Sequence, residues 1–198
     1  MSRGRPRLFD ENEALETALH LFWRHGYEGT SISMLAKAMG MTVPSLYNAF
    51  GNKQSLFMKA VGCYDLYGEK LYDAAFAKTS AREVAQAILM GEVDLVSGAD
   101  TPEGCLMVQG ALATGPESEP LRQEMARQRR RAQVDVATRF EEFQQAGQLP
   151  PGWTASSLAA YVMTVATGIA VQAKGGASRQ ELIQIVDMAI GMWPKGQG

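Results

Sequence analysis

Apolar residues recur along this chain at three- and four-residue intervals, and strict alternation of apolar with polar positions is nowhere sustained. That period belongs to helices rather than strands. Asp10 offers an N-cap to a first helix whose Leu15, Ala18, Leu19 and Phe22 share one face and which should end near Gly26. Ser31 caps a second helix, with Ile32, Leu35, Ala36 and Met39 as its stripe and Gly40 as its stop, where a left-handed residue can turn the chain. Thr42 caps a third, with Pro44 in its first turn and Leu46 and Phe50, four apart, directed inward. Asn52 opens a long fourth helix along Leu56, Ala60, Val61, Tyr64, Tyr67 and Leu71.

The same pattern continues to the end of the chain. Ser80 with Glu83, and Ser178 with Glu181, have capping-box spacing. Val84, Ile88, Gly91 and Leu95 line the helix that Ser80 opens, and Thr101 with Pro102 should open another. From Ser118 to about Ala146 the apolar positions are Leu121, Met125, Ala132, Val136, Phe140 and Phe143, after which Gly147 and Pro150-Pro151 forbid continuation. Thr154 starts a helix through Leu158, Tyr161, Val162, Val165 and Ile169, and the last runs from Ser178 to about Trp193.

The second and third helices, with the tight turn at Gly40, describe a helix-turn-helix. In that motif the N-terminal part of the second helix meets base edges in the major groove of DNA. With Leu46 and Phe50 held inward, Thr42, Val43, Pro44, Ser45, Tyr47 and Asn48 are left for the outside. Asn48 can donate and accept at the edge of adenine, and Ser45 can bond several bases. Tyr47, Thr42 and Lys53 suit phosphates, which fix register without reading sequence. Any small helical hairpin can carry this spacing, so the context matters. Upstream, residues 3 to 7 read Arg-Gly-Arg-Pro-Arg. Arg3, Arg5 and Arg7 on an extended arm can enter a narrow minor groove, or the segment is merely a solubilising tail. The implied fold class is all-α: an N-terminal three-helix helix-turn-helix DNA-binding domain over residues 1–51, and a helical C-terminal effector and dimerisation domain over 52–198.

A formal net charge of -2 runs against the basic surface expected of a DNA binder, but its distribution is uneven. Residues 1–60 hold seven Lys/Arg against five Asp/Glu, leaving +2, and the remainder holds twelve against sixteen, leaving -4. Asp10, Glu11, Glu13 and Glu16 cluster at the start of the first helix, where they offset its dipole. Charge therefore permits DNA binding without indicating it. With 198 residues and 46% hydrophobic content the chain can bury a real core. No uninterrupted apolar run reaches the roughly eighteen residues that span a bilayer, and the N-terminus lacks a signal-peptide core, so no membrane partner and a cytoplasmic location are expected. Cys63 and Cys105 are too few for a disulfide scaffold and lack metal-ligand spacing, so neither metal nor cofactor is expected. His20 and His25 come with no nucleophile elbow, phosphate loop or metal box, and an enzyme is not the reading they favour.

The arm, the Phe9 to Gly26 segment, and above all the run from Ser31 through Tyr47 to Lys53 and Phe57 resemble the tetracycline-repressor-like (TetR/AcrR) family of bacterial regulators. The similarity continues weakly through Gly104-Cys105 and the closing Gly-Ala-Ser-Arg segment, and so covers nearly the whole chain. It implies an all-helical homodimer, double-stranded operator DNA as partner, a pocket for a small-molecule effector in the C-terminal domain, and repression relieved by that effector. By resemblance the DNA-touching positions are Ser31, Thr42, Pro44, Ser45, Tyr47, Asn48 and Lys53. Many relatives carry histidine where this chain has Asn48, which leaves the base preference open.

Materials for an adaptable, mostly apolar pocket are Tyr64, Tyr67, Met90, Cys105, Met107, Phe140 and Tyr161, although most such residues belong to a plain core. With few fixed charges in those helices, an uncharged or aromatic effector is expected. A four-helix interface between two copies would use Ala159, Val162, Ala166 and Ile169 with Ile183, Val186 and Ile190; packing within one chain would use the same residues. Cys105 follows Gly104 near an expected helix start, a setting that can activate a thiol towards oxidants or electrophiles, or it is a small buried hydrophobe. A thiol sensor, a helical interaction protein and an enzyme without DNA specificity are the alternatives. Arg129, Arg130 and Arg131 read as a solvated helix face.

Overall fold

The computed structural model of the chain describes residues 10–98, 101–111, 115 and 118–194. Arg3, Arg5 and Arg7 lie outside the described residues. Nine helices and no strand occur among the described residues: α1 (Glu11–Gly29), α2 (Ile32–Ala38), α3 (Val43–Phe50), α4 (Lys53–Phe76), α5 (Ala81–Ser97), α6 (Leu106–Ala111), α7 (Glu119–Gln145), α8 (Ala155–Lys174) and α9 (Arg179–Gly191).

The helix starts are where side-chain oxygens can meet orphan N–H groups. Asp10 accepts from Asn12 N at 2.8 Å, Asn52 from Ser55 N at 2.8 Å, and Ser178 from Glu181 N at 3.3 Å. The box at Ser178 is reciprocal, because the Glu181 carboxylate accepts from Ser178 N at 2.7 Å. At α5 only half of the expected box forms: Ser80 accepts from Glu83 N, but the Glu83 carboxylate turns to Thr79 N and Oγ1 instead. The helix expected from Thr101 begins only at Leu106. Thr101 gives its hydroxyl to Leu95 O at 2.7 Å and so ties off the end of α5 rather than opening α6. α1 breaks at Gly26 and resumes for one short turn to Gly29. Buried Thr30 seals the break by donating to Gly26 O at 2.7 Å.

Buried apolar residues gather in two clusters. The first joins Leu19, Phe22 and Trp23 of α1 and Leu35 of α2 to Leu46 and Phe50 of α3 and Leu56 and Phe57 of α4, and it is completed by Leu106, Leu121 and Met125 from α6 and α7. Phe22 and Phe57 meet edge to face with centroids 4.9 Å apart. The second joins Val84, Ile88, Leu89 and Val93 of α5 to Phe140 of α7, Leu158, Val162 and Ile169 of α8, and Leu182, Val186 and Ile190 of α9. Each such side chain contributes about 1.5–3 kcal/mol by leaving water. α4 belongs to both clusters, and Cys105 packs against both. α4 approaches α5 so closely at Gly91 that a Cβ there would lie 2.7 Å from Leu71 Cγ. α8 is long and apolar enough, by length and composition, to cross a membrane. Its buried side packs against α5, α7 and α9.

Candidate functional site

The turn at Gly40 is built as the spacing required. Gly40 has φ 63°, and beyond it Met41 N donates to Ala36 O at 2.8 Å, closing α2 and redirecting the chain. Thr42 then caps α3 by accepting from Ser45 N at 3.3 Å, and its hydroxyl lies 2.8 Å from Ser45 Oγ. Leu46 is fully buried and Phe50 nearly so, which fixes the rotation of α3. Thr42, Val43, Pro44, Ser45, Tyr47 and Asn48 are consequently exposed, with 48% of Tyr47 open to solvent. Ser31 is exposed at the N-terminus of α2, where its hydroxyl accepts from Met34 N at 3.1 Å. A short helix therefore presents an outer face with an amide, two hydroxyls and a phenol, interspersed with Val43 and Pro44.

Lys53 differs from the free cation that a phosphate contact suggests. It opens α4 half-buried, its ammonium lying 4.3 Å from the centroid of the Tyr27 ring. Desolvation lowers its pKa and nearby Glu28 works against that lowering. Glu28 is itself held from the other side, accepting from Ser118 Oγ and from Gly115 N at 3.2 Å. The Ser118 hydrogen bond is the main reason its carboxyl stays below the ordinary carboxylate range. Further bonds tie the same end of α1 to the C-terminal helices: Trp23 Nε1 donates to Gly104 O at 2.5 Å, Gln109 Nε2 to Trp23 O at 2.7 Å, and Lys174 Nζ to Arg24 O at 2.8 Å. Gly104, Gln109, Gly115 and Ser118 are thus tied to α1, the helix on which the reading unit packs.

The chain just after Gly104 meets α4 and α5 in a second polar locus. Tyr64, buried on α4, donates to Cys105 Sγ at 3.2 Å. Tyr72, one helical stretch further along α4, donates to Met163 Sδ on α8 at 3.7 Å. Glu92 of α5 completes the group, because it bears electrostatically on Tyr64, Tyr72 and Cys105 together. Burial pushes its carboxyl up to about 7 and, with Glu92 beside it, pushes the Cys105 thiol up to about 11. A thiol held at that value is protonated near neutrality, which favours the small buried hydrophobe over the alternative of an activated Cys105: burial outweighs the N-terminus of α6.

Comparison with known proteins follows these features closely. Residues 14–60, the span of the reading unit and the start of α4, match the family described as "Bacterial regulatory proteins, tetR family". The HTH-type transcriptional repressor ComR of Escherichia coli (strain K12) is 34% identical over 200 residues, covering 98% of this chain and 93% of ComR. The chain belongs to the TetR family. It is also similar, at 36% identity and a TM-score of 0.91, to a cysteine-substituted form of the TetR family regulator CifR complexed with a 26-base-pair operator DNA, over 96% of this chain and 100% of that one. AibR, solved with isovaleryl coenzyme A and operator DNA, shares the fold at 24% identity, a TM-score of 0.70 and coverage of 92% and 96% of the two chains.

In this TetR-family chain the residues expected at a subunit interface lie elsewhere. Ala159, Val162, Ala166, Ile169, Val186 and Ile190 are buried in the chain's own second cluster, with Ile183 packed partly against it. The outward stripe of α8 and α9 is instead Thr164, Gly168 and Val171 with Ile185, Met188 and Met192, and both methionines are 69% exposed. The apolar set was too even around α8 for its spacing to tell the inner face from the outer. Of the expected pocket residues, Tyr64 and Cys105 come together. Phe140 is fully buried against Trp193, and Tyr161 donates to Ala189 O at 3.4 Å, so both serve the α7–α9 core. Tyr67 turns to α1, meeting Trp23 edge to face and donating to Glu16 at 3.3 Å. Met90 and Met107 are half-buried, Met90 against the second cluster and Met107 against the first. A groove of about 410 Å³ bordered by Ser80, Arg82, Gln148, Ile190 and Trp193 includes none of the expected pocket residues. Glu92 and Tyr72 were missed. A carboxylate four residues after Ile88 and eight after Val84, on an apolar stripe, was the available signal. Of the three consecutive arginines, Arg130 and Arg131 are exposed, whereas Arg129 donates to Met107 O at 2.7 Å. Among the described residues no group of three or more His, Cys, Asp or Glu is placed to hold a metal.

Proposed function

We propose that two copies of this chain bind a palindromic operator as a transcriptional repressor in the cytoplasm and release it when a small molecule occupies the C-terminal helices. The observation that carries this reading is the exposed polar face of α3, which Leu46 and Phe50 hold outward. Ser31, Thr42, Pro44, Ser45, Tyr47, Asn48 and Lys53 are the DNA contacts, with Asn48 and Ser45 towards bases and Tyr47, Thr42 and Lys53 towards phosphates. Arg3, Arg5 and Arg7 add a minor-groove arm. Residues 1–51 act as the reading domain and 52–198 as the effector and dimerisation domain. The dimer forms through Val171, Ile185, Met188 and Met192, whose apolar surface is otherwise left in water. Two-fold symmetry then sets the two α3 helices about 34 to 36 Å apart, one turn of the duplex. The name of ComR as a repressor, and the operator complex of CifR, support the direction of regulation and the partner.

Release requires that the effector favour the arrangement unfit for DNA, since equal affinity for both shifts nothing. The polar locus of Tyr64 and Cys105 supports a route, because it touches α4, which carries Lys53, and the chain at Gly104, which is tied to α1. The effector has an apolar or aromatic body to match that setting. Selection of bound duplexes from a random pool tests the reading. An inverted repeat with half-sites one helical turn apart is expected; a pool that stays unenriched at low and high salt would overturn it.

A further inference from the structure

We infer that the groove between the start of α5, the α7–α8 turn and the end of α9 is a binding site for a small monocarboxylate on an apolar body. It shares no residue with the locus of Tyr64 and Cys105, and it stands independently of the operator reading. The groove measures about 410 Å³, within the range of roughly 300–1,000 Å³ typical of small-molecule sites. Ser80 and Arg82 reach it from the start of α5, Gln148 and Pro150 from the α7–α8 turn, and Ile190 and Trp193 from the end of α9 and just beyond. Its apolar walls are fixed. Ile190 and Trp193 are buried in the second cluster, and Trp193 meets Phe140 of α7 edge to face with centroids 6.0 Å apart. The turn is pinned as well, since Gln148 N donates to Phe143 O at 2.9 Å. Walls held in this way are preorganised, so a ligand that fits loses little affinity to ordering them.

The polar groups around the groove decide the chemistry of its occupant. Arg82 is exposed, and its guanidinium makes one long bond, from Nη2 to Ile190 O at 3.5 Å. The groove borders no aspartate or glutamate, and no described carboxylate pairs with Arg82. Neighbouring Glu83 is turned away, its carboxylate accepting from Thr79 N at 3.2 Å and from Thr79 Oγ1 at 2.9 Å. Ser80 Oγ accepts from Glu83 N and keeps its own hydrogen for another partner. The Gln148 side chain is exposed and makes no hydrogen bond to another described residue, which leaves its amide hydrogens to spare. The groove therefore offers one positive charge and a set of unused donors beside hydrocarbon walls. A carboxylate answers both, with two oxygens for the planar guanidinium fork and one negative charge for one positive. An ammonium group would face Arg82 directly, and a neutral alcohol would leave its charge unmatched. The apolar body lies along Pro150, Ile190 and Trp193.

Nuclear magnetic resonance titration of the full-length, DNA-free protein tests the assignment, with phenylacetate, phenethyl alcohol, phenethylamine and acetate as probes. Phenylacetate is expected to move the Trp193 indole N–H and the Gln148 side-chain amide signals, and to bind about three- to tenfold more tightly than the alcohol. The amine, which opposes the charge, and acetate, which lacks the body, should both bind more weakly than phenylacetate. Arg82→Gln should bring phenylacetate and the alcohol to the same affinity, and Arg82→Lys, which keeps the charge without the fork, should fall between it and the wild type. The wild-type ranking is decisive by itself should either variant fail to fold. No movement of the Trp193 and Gln148 signals at millimolar phenylacetate, equal binding of acid and alcohol, or a preference that survives in Arg82→Gln would each overturn the assignment. So would movement of the same signals on concentrating the protein alone, which would put a second copy of the chain in the groove.

Discussion

Replacing Glu92 by glutamine should stabilise the unliganded protein, and by an amount that depends on pH in a defined direction. The buried carboxyl titrates at about 7 in the fold, against 4.5 for an ordinary glutamate. Because the folded value is raised, the native state holds this proton more firmly than the unfolded chain. The stabilisation from holding it is present below about pH 4.5 and is lost as pH rises to about 7, leaving a full penalty above. The gap of about 2.5 pH units, at about 1.4 kcal/mol each, bounds that penalty at about 3.5 kcal/mol. Glutamine keeps the shape and removes the titration. Thermal unfolding of both proteins at equal concentration, from about pH 5 to pH 8, should therefore show the variant gaining on the wild type steadily, up to about 7 to 14 °C at the alkaline end. A difference that stays flat across that range, or a variant that melts below the wild type at pH 8, would refute the claim that an unpaired carboxylate is buried at this position.

Other consequences can be checked with single substitutions. Gly91→Ala places a methyl group 2.7 Å from Leu71 Cγ, and the clash should outweigh the gain in helix propensity, lowering stability by about 1–2 kcal/mol in chemical denaturation. Trp23→Phe removes the donor to buried Gly104 O and should lower stability by about 1–3 kcal/mol, with faster amide exchange in the Gly104 to Gln109 segment as the local readout. With its thiol at about 11 against an ordinary 9, Cys105 should alkylate about 100-fold more slowly at neutral pH than an unperturbed cysteine, and the rate should climb with pH well beyond 9. A Cys105 that reacts as fast as free cysteine would show that its surroundings are open.

Legibility in the sequence followed the range of the interaction. Ser31, Thr42, Asn52 and Ser178 act on N–H groups three residues away, so these helix starts were visible in a short window, and the exposure of Tyr47 and Asn48 followed from the spacing of Leu46 and Phe50. Thr101 broke that rule because its hydroxyl serves the helix behind it. The bond from Trp23 to Gly104 spans 81 residues, and no local pattern announces it. On α8 alanine, valine and threonine surround the axis so evenly that inner and outer faces read alike, and only packing against α5, α7 and α9 separates Val162 from Val171. Glu92 was legible in principle, as a carboxylate on an apolar stripe, but following the apolar residues alone passed over it.

The central claim is that α3 reads DNA sequence through its outer face, and base-by-base affinity measurements with Asn48→Ala test it most directly. Asn48 is exposed and its side chain makes no hydrogen bond to another described residue, so the unfolding midpoint of the variant should equal that of the wild type. On the selected operator the variant should bind about 5- to 150-fold more weakly and become indifferent to the base pair at one position in each half-site. Wild-type affinity and an unchanged base preference in Asn48→Ala would contradict the account.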